Sequence, residues 1–220
     1  VGTEFTSSRI RGEYANAEQY VAASNTKIEE HNIAGFAEYG LKFGDITVNA
    51  GVRYENVKSD YYSFGQWQAG PSRRYSDWFP SASMSWNSGK WALHLAYTCK
   101  TQRPSYNSLR DEVQYDNRYT YEGGNPYIRP CIINNVDLNV VYDWLSFNAG
   151  YNYIDKPMVW IATLYQGKDI TFMRNVNFIH SKDVYVSIVA SPRFGWYNPM
   201  AEIDYTQSFL CIDGFDINKP

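Results

Sequence analysis

With 220 residues, 20 Lys and Arg against 23 Asp and Glu, and a formal charge of −3, the chain shows no basic footprint, so nucleic acid is excluded as a partner. A mean hydropathy of −0.48 and no apolar run of about 18 residues exclude a transmembrane helix. Neither excludes a membrane barrel, whose strands need only alternate residues to be apolar.

Period two runs along the chain, and it places strands at 1–6, 30–41, 46–57, 79–87, 90–101, 132–142, 145–155, 176–191 and 198–209. From Ile46 to Glu55 every even position is apolar or aromatic and every odd one polar or Gly. Trp91, Leu93, Leu95 and Tyr97 alternate with Ala92, His94, Ala96 and Thr98. Leu145, Phe147, Ala149 and Tyr151 alternate with Ser146, Asn148 and Gly150, and Val184, Val186 and Ile188 with Tyr185 and Ser187. The one helix candidate is Ala15 to Ala23, inside a long connection.

Connections come in two lengths. Lys42 to Asp45, Asn87 to Lys90 and Tyr142 to Trp144 are tight and rich in Gly, Asn and Asp, as hairpin turns require. Those at 7–27, 58–78 and 102–131 are long, and a hairpin at 158–174, turning at Gln166 to Asp169, projects beyond the strand ends. Short and long connections alternate, as they must if all short turns lie at one end of a barrel.

A soluble sheet packed on a core would produce the same period. Three features favour a membrane barrel: polar faces of Asn, Ser, Thr, Gly and Tyr that suit a hydrated lumen, the alternation of loop lengths, and aromatics gathered at strand ends. Those aromatics include Tyr61, Tyr62, Trp78, Phe79, Trp86, Trp91, Tyr142, Trp144, Trp196 and Tyr197. The fold expected is all-β, an antiparallel up-and-down meander forming a partial transmembrane barrel of about 9–10 strands, with 1–220 as one segment. Unpaired edges would favour a curled sheet or closure into a smaller barrel. Cys99, Cys131 and Cys211 have no C-x-x-C spacing and suggest neither a disulfide framework nor a zinc site; incidental thiols are preferred to a bridge between Cys99 and Cys131.

Three motifs carry a resemblance. Gly51-Val52-Arg53-Tyr54-Glu55, Gln102-Arg103-Pro104-Ser105-Tyr106-Asn107-Ser108-Leu109 and Gly124-Asn125-Pro126-Tyr127-Ile128-Arg129-Pro130 occur in that order. Together they resemble the barrel portion of TonB-dependent outer-membrane receptors, in particular the Bacteroidetes-type outer-membrane β-barrel family. Cys131 stands where that family usually has Glu. The resemblance implies a Gram-negative outer-membrane location and nutrient import without covalent chemistry or cofactor. It further implies contact with outer-membrane lipid, and with TonB through a plug domain that the 220 residues do not include. Members have 22 strands, and a closing aromatic strand is not evident in Gly214 to Pro220. In the third motif, Gly123 and Gly124 would let the loop reverse, and Pro126 and Pro130 would hold the returning chain extended until a ladder begins near Ile132.

Ligand contacts in such a receptor would fall to loop aromatics and cations, here Tyr61, Tyr62, Trp67, Arg73, Arg74, Arg118, Tyr119 and Tyr121, because rings stack on sugars and Arg pairs with carboxylate or phosphate. Packing of the loops is the competing role for each, and Arg73-Arg74 could instead meet lipid phosphates. An outer-membrane enzyme is the weaker alternative. His31, His94 and His180 are the candidate bases, but they lie on distant strands without a Ser or Asp at motif spacing. Asp111, Glu112 and Asp116 could hold a cation, although a solvated loop is the preferred reading, and no metal site is expected. A soluble β-sandwich or calycin-like binding protein remains the third class; its inward faces should be Val, Ile and Leu meeting across a dry core.

Overall fold

The computed structural model describes residues 1–15 and 21–211. In chain order the strands are β1 (Gly2–Tyr14), β2 (Ser24–Phe43), β3 (Ile46–Ser63), β4 (Gln66–Trp67), β5 (Arg73–Ser88), β6 (Trp91–Gln102), β7 (Val113–Asn117), β8 (Thr120–Gly123), β9 (Cys131–Tyr142), β10 (Leu145–Asp155), β11 (Met158–Leu164), β12 (Thr171–Asn177), β13 (His180–Ala190) and β14 (Ala201–Cys211), with one 3-10 turn at Tyr106–Leu109. Ten strands form the main sheet, in the order β1-β2-β3-β5-β6-β9-β10-β13-β14, with β4 hung on β3. Every pairing in it is antiparallel, so the sheet is the expected meander.

The tight turns are where the sequence places them. Gly44 (φ 56), Gly89 (φ 58) and Asp143 (φ 54) supply the left-handed residue that each short hairpin needs. Residues 16–20 of the helix candidate lie outside the described residues, as does the segment from Gly214 onward, and Ala15 and 21–23 are not helical.

Paired residues share a face, so the registers sort every side chain. Following one row across eight strands gives Leu41, Val48, Met84, Leu95, Leu138, Ala149, Val186 and Tyr205; the row nearer the turns is Phe43, Ile46, Trp86, Leu93, Val140, Phe147, Ile188 and Ile203. Both rows are apolar throughout. The rows on the opposite face read Gly40, Asn49, Ser83, Ala96, Asp137, Gly150, Tyr185, Thr206 and Lys42, Thr47, Ser85, His94, Asn139, Asn148, Ser187, Asp204. These are polar or small, and they bond to one another: His94 Nδ1 lies 2.9 Å from Ser85 Oγ, Asn139 donates to Asn148, and Tyr185 donates to Asp137. Gly150 has no side chain because the Tyr185 ring lies over it; a Cβ there would sit 2.2 Å from that ring.

Among the described residues nothing covers the apolar face. Ile33, Tyr39, Phe43, Trp78 and Ile203 are 59%, 68%, 63%, 65% and 71% exposed. A soluble sandwich would bury that face under a second sheet, so the sandwich alternative is overturned. In a bilayer the same rows meet hydrocarbon, with Trp86, Trp91, Tyr142 and Trp144 at the short-turn interface and Tyr54 beside Trp78 (ring centroids 4.8 Å apart) at the other.

Three expectations change. Strands continue well past the apolar band, so much of the supposed loops at 7–27 and 58–78 is ladder: β1 and β2 pair up to Tyr14–Ser24, and β2 and β3 up to Thr26–Ser63. Outside the membrane both faces meet water or other loops, so the alternation that reveals a strand disappears there. The run 176–191 divides into β12 and β13, because backbone bonds from Lys156 to Ile179 and from Phe178 to Pro157, both 3.0 Å, turn the chain off the wall at one level. Closure into a smaller barrel is not observed: β1 and β14 are unpaired to each other, and the sheet is an open partial barrel. All three cysteines are free thiols, so the Cys99–Cys131 bridge does not form; Cys99 faces Asn134 across the ladder.

Above the wall stands a second sheet, in the order β11-β12-β8-β7. The projecting hairpin β11–β12 is as expected. Its parallel pairing to β8, Thr171 beside Thr120 and Phe172 beside Tyr121, is not predictable from either segment alone.

Candidate ligand-binding face

The lumen-side wall beyond the apolar band gathers the three sequence motifs into one cluster. Arg53 donates from Nε to Glu55 Oε1 at 2.6 Å and from its terminal nitrogen to Glu4 Oε2 at 2.9 Å. Arg103, from the second motif, donates to the other Glu55 oxygen and lies 3.9 Å from Glu30. Glu55 is only 7% exposed, so this one carboxylate is shared by two guanidiniums in a largely dry place, with Glu4 and Glu30 supplying the remaining negative charge. Arg73 on β5 then holds the third motif, donating to the carbonyls of Pro126 and Ile128.

Segment 103–130 is thereby strapped across the inner side of β1 to β5. Asp111 fastens its far end, accepting from Ser24 Oγ, from Thr26 Oγ1 at 2.7 Å and from Ser63 Oγ at 3.0 Å. Asn125 ties the strap to the rim sheet, with its amide bonded to the Asn175 carbonyl at 3.1 Å. The two glycines act here through space rather than through turn geometry, since neither has a left-handed φ. A Cβ on Gly124 would lie 2.2 Å from the Arg110 carbonyl oxygen, and one on Gly123 would lie 2.5 Å from the Phe172 ring. The ladder after Pro130 begins at Cys131.

Under the strap lies a cavity of about 170 Å³, lined by Glu30, Tyr61, Arg73, Tyr75, Arg103 and Tyr106 among others. Burial dominates its electrostatics. It pushes the Tyr61 and Tyr75 hydroxyls up to about 12, lowers Arg73 to about 10, and raises the Glu30 carboxyl above its ordinary value against the pull of Arg103. A chamber with phenol hydroxyls, cations and one reluctant carboxylate can hold a polar ligand by hydrogen bonds and ring contacts.

The eight candidate contacts do not form one site. Tyr61 and Arg73 reach the cavity, where Tyr61 is buried and lies 3.5 Å from Thr26 Oγ1. Tyr62 and Trp67 sit side by side on the other face of β3 and β4, Tyr62 under Lys27 at 4.5 Å and Trp67 donating to Asp60 at 3.3 Å. Arg74 lies on that outer side, paired with Lys58. Arg118 and Tyr119 make the β7–β8 turn, with the guanidinium 4.8 Å from the ring. Tyr121 is buried in an aromatic knot with Tyr115 (5.5 Å) and Tyr165 (4.9 Å), a packing role.

Arg53, Glu55 and Arg103 stand out in the sequence only as motif letters, Asp111 only as a possible cation ligand in a solvated loop, and Glu30 gives no signal. The histidines stay apart: His31 lies 3.1 Å from Ser7 Oγ, and His180 stacks on Tyr153 at 5.8 Å. Among the described residues no cluster of His, Cys, Asp and Glu could hold a metal. Asp111 is occupied by hydroxyls, Glu112 lies 3.4 Å from Arg110, and Asp116 accepts from Asn117 at 3.0 Å.

A model of the outer membrane protein beta-barrel family matches residues 3–212. The chain belongs to that family. Its place is therefore the outer membrane of a Gram-negative cell. Among solved structures it is similar to the copper transporter OprC, at 14% identity and a TM-score of 0.62 over 94% of this chain and 34% of that one. It is similar also to the FrpB iron transporter from Neisseria meningitidis (16% identity, TM-score 0.54, 85% and 27%) and to the siderophore receptor PirA from Pseudomonas aeruginosa (12%, 0.52, 94% and 47%). The chain thus spans about a quarter to a half of these structures. No curated protein matches it by sequence.

Proposed function

We propose that this family member forms part of an outer-membrane receptor that captures a scarce nutrient at its outer mouth and imports it without covalent chemistry. TonB would supply the energy through a plug domain. The observation that carries the reading is the pairing of a continuous lipid-facing band with an opposite polar wall that opens into a strapped, hydrogen-bonding cavity. That the similar structures are a copper transporter, an iron transporter and a siderophore receptor supports transport as the role, and the loop chemistry here would set its own cargo. Growth of a deletion strain on single limiting nutrients tests this. One nutrient should become limiting, with rescue by the wild-type gene and loss of rescue when TonB is removed. Rescue that is independent of TonB would contradict it.

A further inference from the structure

One seam in the wall is open. The β5–β6 ladder stops at Ser81–Thr98, whereas β3–β5 continues to Ser59–Arg73 and β6–β9 to Gln102–Cys131. Residues 73–80 of β5 and 99–102 of β6 therefore part without partners in each other, and the 124–130 return loop leans over the gap. The recess so formed measures about 430 Å³ and receives Arg73, Arg74, Arg129 and Lys156 against Asp77 and Asp155.

The charges do not cancel locally. Asp155 is already within 3.3 Å of Lys156, and the Arg73 guanidinium is taken by backbone carbonyls. Neither Arg74 nor Arg129 enters an ion pair among the described residues. Arg129 is nevertheless held in place, its N–H donating to Asn177 Oδ1 at 2.7 Å and its carbonyl accepting from Asn177 Nδ2 at 2.9 Å. Burial lowers Arg73, and like charge from Arg129 adds to it against the opposing pull of Tyr75 and Glu30, which places Arg129 close enough to Arg73 for the two cations to repel. Two unpaired guanidinium forks and an ammonium, brought from three chain segments to one recess, match the several acceptor oxygens of a phosphate better than a single carboxylate.

We propose that this seam binds a phosphate-bearing anion, with Arg74 and Arg129 as its principal ligands and Lys156 at its edge. The site adjoins the strapped cavity, with Arg73 and Tyr75 in the wall between them, but its principal ligands Arg74 and Arg129 line the recess and not that cavity, and it does not depend on the transport reading. Arg74 lies four residues beyond Trp78 of the aromatic girdle, about 13 Å along the strand, so a phosphorylated lipid headgroup and a soluble phosphate can both supply the anion.

The test uses the receptor purified in detergent from outer membranes, as wild type, as R74A/R129A, and as the control Lys42→Ala at the short-turn end. Inorganic pyrophosphate is titrated calorimetrically at low ionic strength, and phosphorylated glycolipid carried through purification is measured by native mass spectrometry. Heat-modifiable migration confirms that each variant is folded. The proposal expects the double variant to lose about tenfold or more in pyrophosphate affinity, to lose the bound glycolipid, or both, with the control unchanged. Lipid loss assigns the anion to the membrane. A fall in pyrophosphate affinity with lipid retained assigns it to a soluble phosphate. Equal pyrophosphate affinity and equal lipid in wild type and R74A/R129A overturn the proposal.

Discussion

Replacing Glu55 by Gln keeps its size and removes the charge that two guanidiniums share. Breaking a buried pair by removing one partner costs about 3 to 5 kcal/mol when the remaining charge is fully enclosed. Here the Arg53 and Arg103 side chains are 31% and 30% exposed, so water relieves part of that cost. Arg53 also keeps Glu4 at 2.9 Å, whereas Arg103 keeps the more distant carboxylate of Glu30 at 3.9 Å and the Tyr75 hydroxyl. The loss therefore falls mainly on Arg103 and comes to about 2 kcal/mol, or about thirtyfold in the equilibrium for lifting segment 103–130 off the wall. Hydrogen exchange on outer-membrane preparations reads this directly: amides near Ser108 and Asn125 should lose protection by that factor, while those in β9 and β10 hold theirs. Adding Arg103→Met to Glu55→Gln removes the stranded charge and should restore part of the protection. Unchanged exchange in the single variant, or a double variant as open as the sum of the two single changes, would refute the reasoning.

At the other end of the strap, Asp111→Ala strands the buried hydroxyls of Ser24 and Thr26. About 1 kcal/mol for each should expose the same segment to limited proteolysis without lowering the stability of the sheet. Glu30 supplies a pH test. Its carboxyl is raised by burial, so the folded state takes up a proton more readily than the unfolded one; its contribution to stability is full below the unfolded value of 4.5 and is lost as pH rises through the folded value. Glu30→Gln should accordingly raise the thermal transition near pH 8 and confer no advantage near pH 4, as measured in detergent.

Within the membrane the chain was legible because lipid and lumen impose opposite demands on neighbouring residues. That is why the row from Leu41 to Tyr205 and the tight turns at Gly44, Gly89 and Asp143 could be read from alternation and turn chemistry alone. Beyond Ile33 on β2 the outward residues become His31, Glu29 and Lys27, the two faces lose their contrast, and the strand end cannot be seen. The cluster around Glu55 was half legible: Arg53, Glu55 and Arg103 stood out as motif residues, but their meeting depends on the strap of residues 103–130 returning to the wall. Asp111 and Glu30 acquire their roles only from that return. The loop candidates scattered because exposed aromatics and cations in sequence say nothing about which side of a protruding ladder they occupy. Tyr61 and Tyr62 are neighbours on opposite faces.

The most direct test of the account uses nitroxide labels placed singly from Ala92 to Tyr97 of the protein in bilayers, with collision rates measured for oxygen and for a water-soluble nickel chelate. Labels at 93, 95 and 97 should favour oxygen and those at 92, 94 and 96 nickel, in strict alternation. Equal nickel access at 93, 95 and 97 would show that this face does not meet hydrocarbon, and the membrane barrel reading would be wrong.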